Sequence, residues 1–492
     1  MELRLYIDGE FCEAADGSRF DTIDPSTGEA WASVPEAGQA DVDRAVAAAE
    51  NAWRTGPWAR MPAVERGRLL YRLGDLLKQN SEALGTVETR DTGKIIRETS
   101  SQAAYMAGFY HYYAGLADKI EGAVIPTASD ELLALTIREP IGVVAAVVPW
   151  NSQMFLAAAK IAPALAAGNT LVIKASEDGP APLMKFAELV HEAGFPPGVV
   201  NIVTGFGDRC GRALTSHPAV ARVAFTGGPV AAREVIRNTA NNFAVTSLEL
   251  GGKSPLIVFD DADLESATNG ILAGIFGASG QSCVAGSRLI VHENIADVLL
   301  QKLSERAARI RIGDPMDRQT EMGPLCTKRQ RDGIERAIAE TLAAGGQLIC
   351  GGKRPEGFEG GFYFEPTILR TEGEGMATYE QELFGPVLSV RTFRDEDEAV
   401  KLANDTAYGL AGGAFTRDLG RGIRVGRRIR SGIAWINTWR VVSPGAPFGG
   451  VKLSGYGREG GQDVLSDYTR TKTIWVNASE APLNDPFRMQ LN

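Results

Sequence analysis

The chain has 492 residues, about three times the usual domain length of roughly 150, so two or three units with cores of their own are expected and a peptide, fibre or small disulfide scaffold is excluded. Hydrophobic residues make 44%, charged residues 23% and aromatics 8%, the balance of a folded globular protein and not of a disordered one. With 51 Lys and Arg against 61 Asp and Glu, the net charge of −10 leaves no positive field to gather nucleic acid or an anionic membrane surface.

The opening MELRLYIDGEFCEAADGSRF interleaves charges from its second residue and has no apolar core of signal-peptide length, which points to a cytoplasmic location. From Ala45 to Gln102 apolar residues (Ala45, Val46, Ala49 and Trp53, then Leu69, Leu70, Leu73, Leu76 and Leu77) recur at helical spacing, so this section is predicted helical. LALTIRE (133–139) alternates and reads as a strand with two faces. From Gly142 short apolar runs alternate with helical stretches. Strands are predicted at 143–148, 170–175, 199–205, 220–228 and 245–252, with helices at 152–167, stopped by Gly168, and 183–193, stopped by Gly194. Strand, helix, strand repeated in this way is the pattern of an α/β doubly wound parallel sheet, which binds ligands at the carboxyl ends of its strands.

A second α/β series runs from SPLIVF (254–259) through GQSC (280–283), SRLIVH, PVLSVRTF, GGAFTR and GIAWIN. YTRTKTIWVN (468–477) and the 133–139 strand fit neither series, and such strands often pair with each other or with another subunit. The most apolar run, from Ile141 to Val148, is only strand length, so no membrane span is expected.

Glycines come first among the motifs, because this fold predicts a nucleotide. Gly205, Gly207 and Gly211 spell GxGxxxG, one residue longer than the dinucleotide fingerprint and equally an ordinary strand-to-helix turn. Gly252-Lys253-Ser254 resembles the end of a phosphate loop, but Ser247 stands where that loop needs glycine. FTGG (225–228) is better placed, ending a strand and opening a helix where bare amides can meet a pyrophosphate.

The five cysteines are odd in number, scattered and never in a CxxC pair, and His111, His191, His217 and His292 have no metal-ligand spacing, so neither a disulfide framework nor a metal site is expected. Cys283 lies in GASGQSCVAGS, where small neighbours leave room for a substrate; the competing reading is a packed core thiol, the commoner fate of a lone cysteine. Glu249 ends an apolar strand, where a carboxylate is either paired, solvated or functional. Asn151 and Glu382 also edge apolar runs, and capping explains each equally well.

PWN (149–151), KASE (174–177), FTGG (225–228), LELGGKSP (248–255), GQSC (280–283), QELFGPV (381–387) and PFGGVKLSGYGREGG (from 447) together resemble the aldehyde dehydrogenase superfamily over essentially the whole chain. The resemblance implies a cofactor domain (1–118 and 140–251), a catalytic domain (252–453), and an oligomerisation element with C-terminal tail (119–139 and 454–492). It implies a homo-dimer or homo-tetramer acting on a small-molecule aldehyde with NAD, rather than NADP. It makes Cys283 the nucleophile, Glu249 the general base that hydrolyses the thioester, and Asn151 with the Cys283 amide the oxyanion hole.

Lys174 and Glu177 are expected at the adenosine ribose, Glu382 at the nicotinamide ribose and Phe384 at the nicotinamide face. Pro149, Trp150, Ser176, Gly207, Phe225, Thr226, Gly227, Gly228, Leu250 and Gly251 complete the implied cofactor contacts. Two departures are visible: Gly228 stands where many relatives have serine, and Ala175 where proline is common.

The implied substrate channel comprises Ser152, Leu156, Ala159, Ser282, Trp439, Arg440, Val442 and Phe448. Ser152 and Ala159 replace bulky aromatics of relatives that oxidise simple aliphatic aldehydes, so a wide channel is expected, with Arg440 facing a polar-ended, bulky or cyclic aldehyde or semialdehyde. Two rival readings stand beside this one: a cysteine-dependent esterase or thioester hydrolase, and a non-catalytic structural relative.

Overall fold

Valine, isoleucine and alanine dominate the five central strands because helices cover both faces of the sheet they form. Val143–Val148, Thr170–Ala175, Val200–Val203, Val220–Gly227 and Val245–Leu250 pair in parallel, and nearly all their side chains are buried. The computed structural model describes residues 2–483 and 485–487. Across the sheet the order is 245–250, 220–227, 143–148, 170–175, 200–203, so the winding reverses between Val143–Val148 and Val220–Gly227. A ligand crevice opens at such a reversal, at the carboxyl ends of the two strands. PWN follows one of them and FTGG the other.

The predicted central strands match the observed ones to within two residues, and the helices are Gln153–Ala166 and Ala181–Ala193. The edges of this sheet were not anticipated. Leu5–Ile7 and Glu10–Cys12 join one side antiparallel, and Gly455–Tyr456 joins the other beside Leu248 and Glu249. Such short strands carry too little periodicity to read, yet they cap edges that would otherwise leave backbone groups unpaired. Residues 454–492, grouped by sequence with the oligomerisation element, therefore begin by completing the first sheet. Residues 484 and 488–492 of the expected tail lie outside the described residues.

The helical opening resolves into Gln39–Arg54, Ala63–Gln79, Ser81–Thr92 and Ile96–Ala114. The last also touches the second unit, where Ile96 N donates to Pro315 O at 2.8 Å and Tyr105 Oη to Val442 O at 2.7 Å.

The second sheet runs Thr367–Arg370, Val387–Phe393, Arg288–His292, Pro255–Val258, Ala411–Phe415, Ile433–Ile436 in parallel, with Gln347–Cys350 antiparallel at one edge. The two strands that fitted neither series meet each other: Thr469–Asn477 pairs antiparallel with Leu132–Pro140 along its whole length, and Ala123–Ile125 adds a third strand. Val124, Leu132, Leu133, Ile474, Trp475 and Val476 of this small sheet are exposed. Among the described residues, no helix is long and apolar enough to cross a membrane.

Candidate active site

At the winding reversal lies a groove of about 1110 Å³, above the usual 300–1,000 Å³ of a ligand pocket. Ten of the residues implied for the cofactor line it: Pro149, Trp150, Lys174, Ser176, Glu177, Gly207, Phe225, Thr226, Gly227 and Gly228. Gly228 caps helix Pro229–Thr239, and a Cβ added at Gly228 or Gly207 would meet nothing within 4 Å, so both leave their backbone open to an elongated ligand. Lys174 Nζ donates to Glu177 Oε2 at 3.1 Å, which holds that carboxylate in the groove wall. Arg212, Glu234, Arg237 and Asn238 line the groove as well and were missed. The signal was present: Val230, Glu234 and Asn238 repeat every four residues on the helix that FTGG opens.

Leu250, Gly251, Glu382 and Phe384 lie outside that lining. Phe384 sits edge-on to Trp150, which lines the groove, with centroids 5.5 Å apart. Glu382 Oε1 accepts from Gly252 N at 2.8 Å, and a Cβ on Gly251 would run into its carboxylate. Burial pushes Glu382 up to about 7.

The Cys283 loop follows helix Leu264–Ile275 and is held from several sides. Ala278 and Ser279 take left-handed φ values of 54° and 53°, unusual for residues with a Cβ. Ala278 N donates to Glu98 Oε1 at 3.0 Å, Ser279 Oγ to Gly323 O at 2.8 Å, and Cys326 N to Gln281 Oε1 at 2.8 Å. Asn151 Nδ2 donates to Gln281 O at 3.1 Å, so PWN of the first unit and GQSC of the second are joined directly. Cys283 is partly accessible, and its thiol is pushed up to about 12, chiefly by burial and then by the Glu382 and Glu249 carboxylates; the Arg440 charge works the other way.

Glu249 ends strand Val245–Leu250 as predicted. It is neither solvated nor paired: the side chain is buried and both carboxylate oxygens lack a hydrogen-bond partner. Gly449 makes room for it, since a Cβ there would stand 2.6 Å from Glu249 Oε1. Burial, then the charge of Glu459, holds its carboxyl well above the ordinary range, with Lys160 and Arg458 opposing. Lys160, on the apolar helix behind PWN, is fully buried, donates to Thr226 Oγ1 at 2.6 Å and pairs with Glu459. A line of ionisable groups thus leads inward from Glu249. The sequence marked Lys160 only as an interruption of an apolar run, and Glu459 only as one letter of the PFGGVKLSGYGREGG motif, with no role.

An apolar cavity of about 130 Å³ is lined by Phe109, Phe155, Ala159, Trp435, Val441, Val442, Phe448 and Glu459, among others. Of the implied channel residues, Ala159, Val442 and Phe448 line it, whereas Ser152, Leu156, Ser282, Trp439 and Arg440 do not. Phe155 packs edge-on against Phe109 (5.5 Å) and Phe448 (6.3 Å), and these three rings share the wall of the cavity with Ala159. Ser152 Oγ accepts from Lys94 at 3.3 Å, and Trp439 Nε1 donates to Val284 O at 3.1 Å beneath the cysteine loop.

A dinucleotide-sized groove at a winding reversal, lined by Pro149 and Trp150 and joined through the neighbouring Asn151 to a thiol-bearing loop, defines the class: a nucleotide-dependent α/β enzyme. Residues 11–474 match the aldehyde dehydrogenase family, and the chain belongs to that family. It is 56% identical over 491 residues, covering 100% of both chains, to a protein of Acinetobacter baylyi named (Z)-2-((N-methylformamido)methylene)-5-hydroxybutyrolactone dehydrogenase. Its structure is similar to betaine aldehyde dehydrogenase of Staphylococcus aureus solved in complex with NAD+ (TM-score 0.96, 39% identity, 99% and 97% of the two chains covered). A variant of an aldehyde dehydrogenase from Bacillus cereus matches with TM-score 0.95, 39% identity and 97% of each chain. The protein is therefore an NAD(P)-dependent oxidoreductase that converts an aldehyde to the carboxylic acid.

Proposed function

We propose that Cys283 attacks the aldehyde carbon, that Asn151 and the Cys283 amide hold the oxygen as it becomes an oxyanion, and that Glu249 draws a proton from the water that later cleaves the thioester. The bond between Asn151 Nδ2 and Gln281 O carries this reading, because it fixes the amide beside the loop that presents the thiol. The groove residues would hold the dinucleotide, which when bound supplies the acceptor for the electrons leaving the substrate. Both Glu249 oxygens are free of protein hydrogen bonds, which leaves them open to water, and the raised pKa makes the ionised carboxylate a stronger proton acceptor than an ordinary one.

Residues 1–118 and 140–251 then serve as the cofactor domain and 252–453 as the catalytic domain. Segments 119–139 and 454–492 serve oligomerisation, which the exposed apolar residues of the small sheet support. Dimer or tetramer, and a cytoplasmic location, belong to the same proposal.

The substrate is an aldehyde with a polar or carboxylated far end. A 5-hydroxybutyrolactone, the substrate in the Acinetobacter relative's name, is the ring-closed form of a 4-oxo acid. Purified protein with NAD is expected to form reduced cofactor faster with 4-oxobutanoate than with acetaldehyde; a clear preference for acetaldehyde would discard this substrate class.

NAD is preferred over NADP because Glu177, anchored by Lys174, presents a carboxylate that accepts from a free 2′-hydroxyl and repels a 2′-phosphate. Glu177→Ala should shift the ratio of kcat/KM for NAD over NADP toward NADP by about tenfold or more, roughly one charge-assisted hydrogen bond. An unmoved ratio would take Glu177 out of cofactor selection.

A further inference from the structure

The loop after Asn437 and the loop carrying Cys283 meet where one of them has no side chain. Gly277 precedes Cys283 on the turn that ends helix Leu264–Ile275. A Cβ at Gly277 would lie 2.6 Å from Arg440 Nη1 and 3.8 Å from Glu98 Oε1. The Arg440 guanidinium therefore occupies the space a larger residue at 277 would fill. It is tethered there, since Nη1 donates to Ala273 O at 3.2 Å. Arg440 reaches this seat with φ 60°, a left-handed conformation that a residue with a Cβ keeps only where its surroundings hold it.

That seat is beside the chemistry. Val441 and Val442, next in the chain, line the apolar cavity, and the Arg440 charge favours the thiolate form of Cys283. The guanidinium is also underused. Its tether engages one of five donors, and Arg440 is only half-buried. Glu98 does not neutralise it: Oε1 accepts from Ala278 N, Oε2 is buried without a hydrogen-bond partner, and among the described residues the two form no ion pair.

We infer that Arg440, seated over Gly277, is an anion anchor that selects aldehydes bearing a carboxylate beyond the reacting carbon. A planar guanidinium meets a carboxylate with two parallel hydrogen bonds, which fixes orientation as well as binding. The inference rests on the proposed role of Cys283, and it supplies the recognition that a carboxylate-bearing aldehyde needs and that the small cavity, walled mostly by apolar side chains and with Glu459 as its one charged group, does not offer.

Two variants separate the charge from its position. Arg440→Ala removes the guanidinium. Gly277→Ala keeps it but pushes it off its seat; the atom met is the free end of a flexible side chain, and the backbone at 277 is not left-handed, so folding is preserved. The readout is the ratio of kcat/KM for 4-oxobutanoate to that for its methyl ester, with NAD. The ratio is expected to fall about 10- to 100-fold in Arg440→Ala, the worth of a charge-assisted pair, with partial recovery in Arg440→Lys. Gly277→Ala is expected to lower the ratio by about threefold to tenfold for the weakened fraction of the same contact. Equal losses on acid and ester, leaving the ratio unmoved, would overturn the anchor and make Arg440 a packing residue. Absence of turnover with every aldehyde in the unaltered protein would instead overturn the chemistry proposed above.

Discussion

Cys283→Ala is expected to lower aldehyde oxidation by at least about 10⁴-fold, because the covalent route disappears with the thiol and nothing else in the loop can replace it. The dissociation constant for NAD, read by fluorescence quenching, should stay within about threefold, since the groove is built on strands and a helix of the other unit. Persistent turnover would remove the mechanism, and lost cofactor binding would mean that the loop shapes the groove. The unaltered protein offers a second check. With the thiol held at about 12, thiolate is scarce near neutrality, so alkylation of Cys283 by iodoacetamide should climb about tenfold per pH unit from roughly 7 to 10 without a plateau. A plateau near pH 8 in the free enzyme would show a thiol far more acidic than its burial allows.

The parallel strands were legible because burial on both faces leaves an uninterrupted apolar run with turn signals at each end, and Val143–Val148 and Thr170–Ala175 match to the residue. Leu5–Ile7 and Gly455–Tyr456 were not legible, because strands of two or three residues take their structure from the edge they cover. Within the site, the residues that face a ligand through the backbone were visible as motifs, whereas Lys160 and Glu459 were hidden by their distance along the chain. Each looks like an ordinary charge until the fold joins them. The wide-channel expectation rests on a thin signal for a related reason. It compared single positions, Ser152 and Ala159, while cavity volume is set by every ring that can move in, here Phe109, Phe155 and Phe448. Arg440 shows the reverse case: the space that matters to it is a missing side chain on another loop, at Gly277, which no reading of its own loop could supply.

Glu249→Gln should divide the reaction in two. A burst of reduced cofactor approaching one equivalent per active site is expected, followed by a steady rate about 10²- to 10⁴-fold below that of the unaltered enzyme, since attack by the thiol needs no carboxylate at 249 while hydrolysis needs a base. In the unaltered enzyme kcat should rise with pH through the elevated pKa of Glu249, because only the ionised form accepts a proton from water, and this rise should vanish in the variant. Equal loss of burst and steady rate would reassign the residue. The same carboxyl makes a stability prediction of definite sign. Its folded pKa lies above the unfolded value of roughly 4.3, so the folded state holds the proton more tightly and loses stability as pH rises through the interval between the two values. Gln carries no such penalty. The melting temperature of Glu249→Gln relative to the unaltered protein should therefore show near zero difference at about pH 4, turn increasingly positive as pH rises from there toward the elevated pKa, and stay level above it. A variant less stable at pH 8 than at pH 5, relative to the unaltered protein, would mean that the Glu249 carboxylate is favourably paired in the folded state, and the line of charges through Glu459 and Lys160 would then be a structural ion cluster.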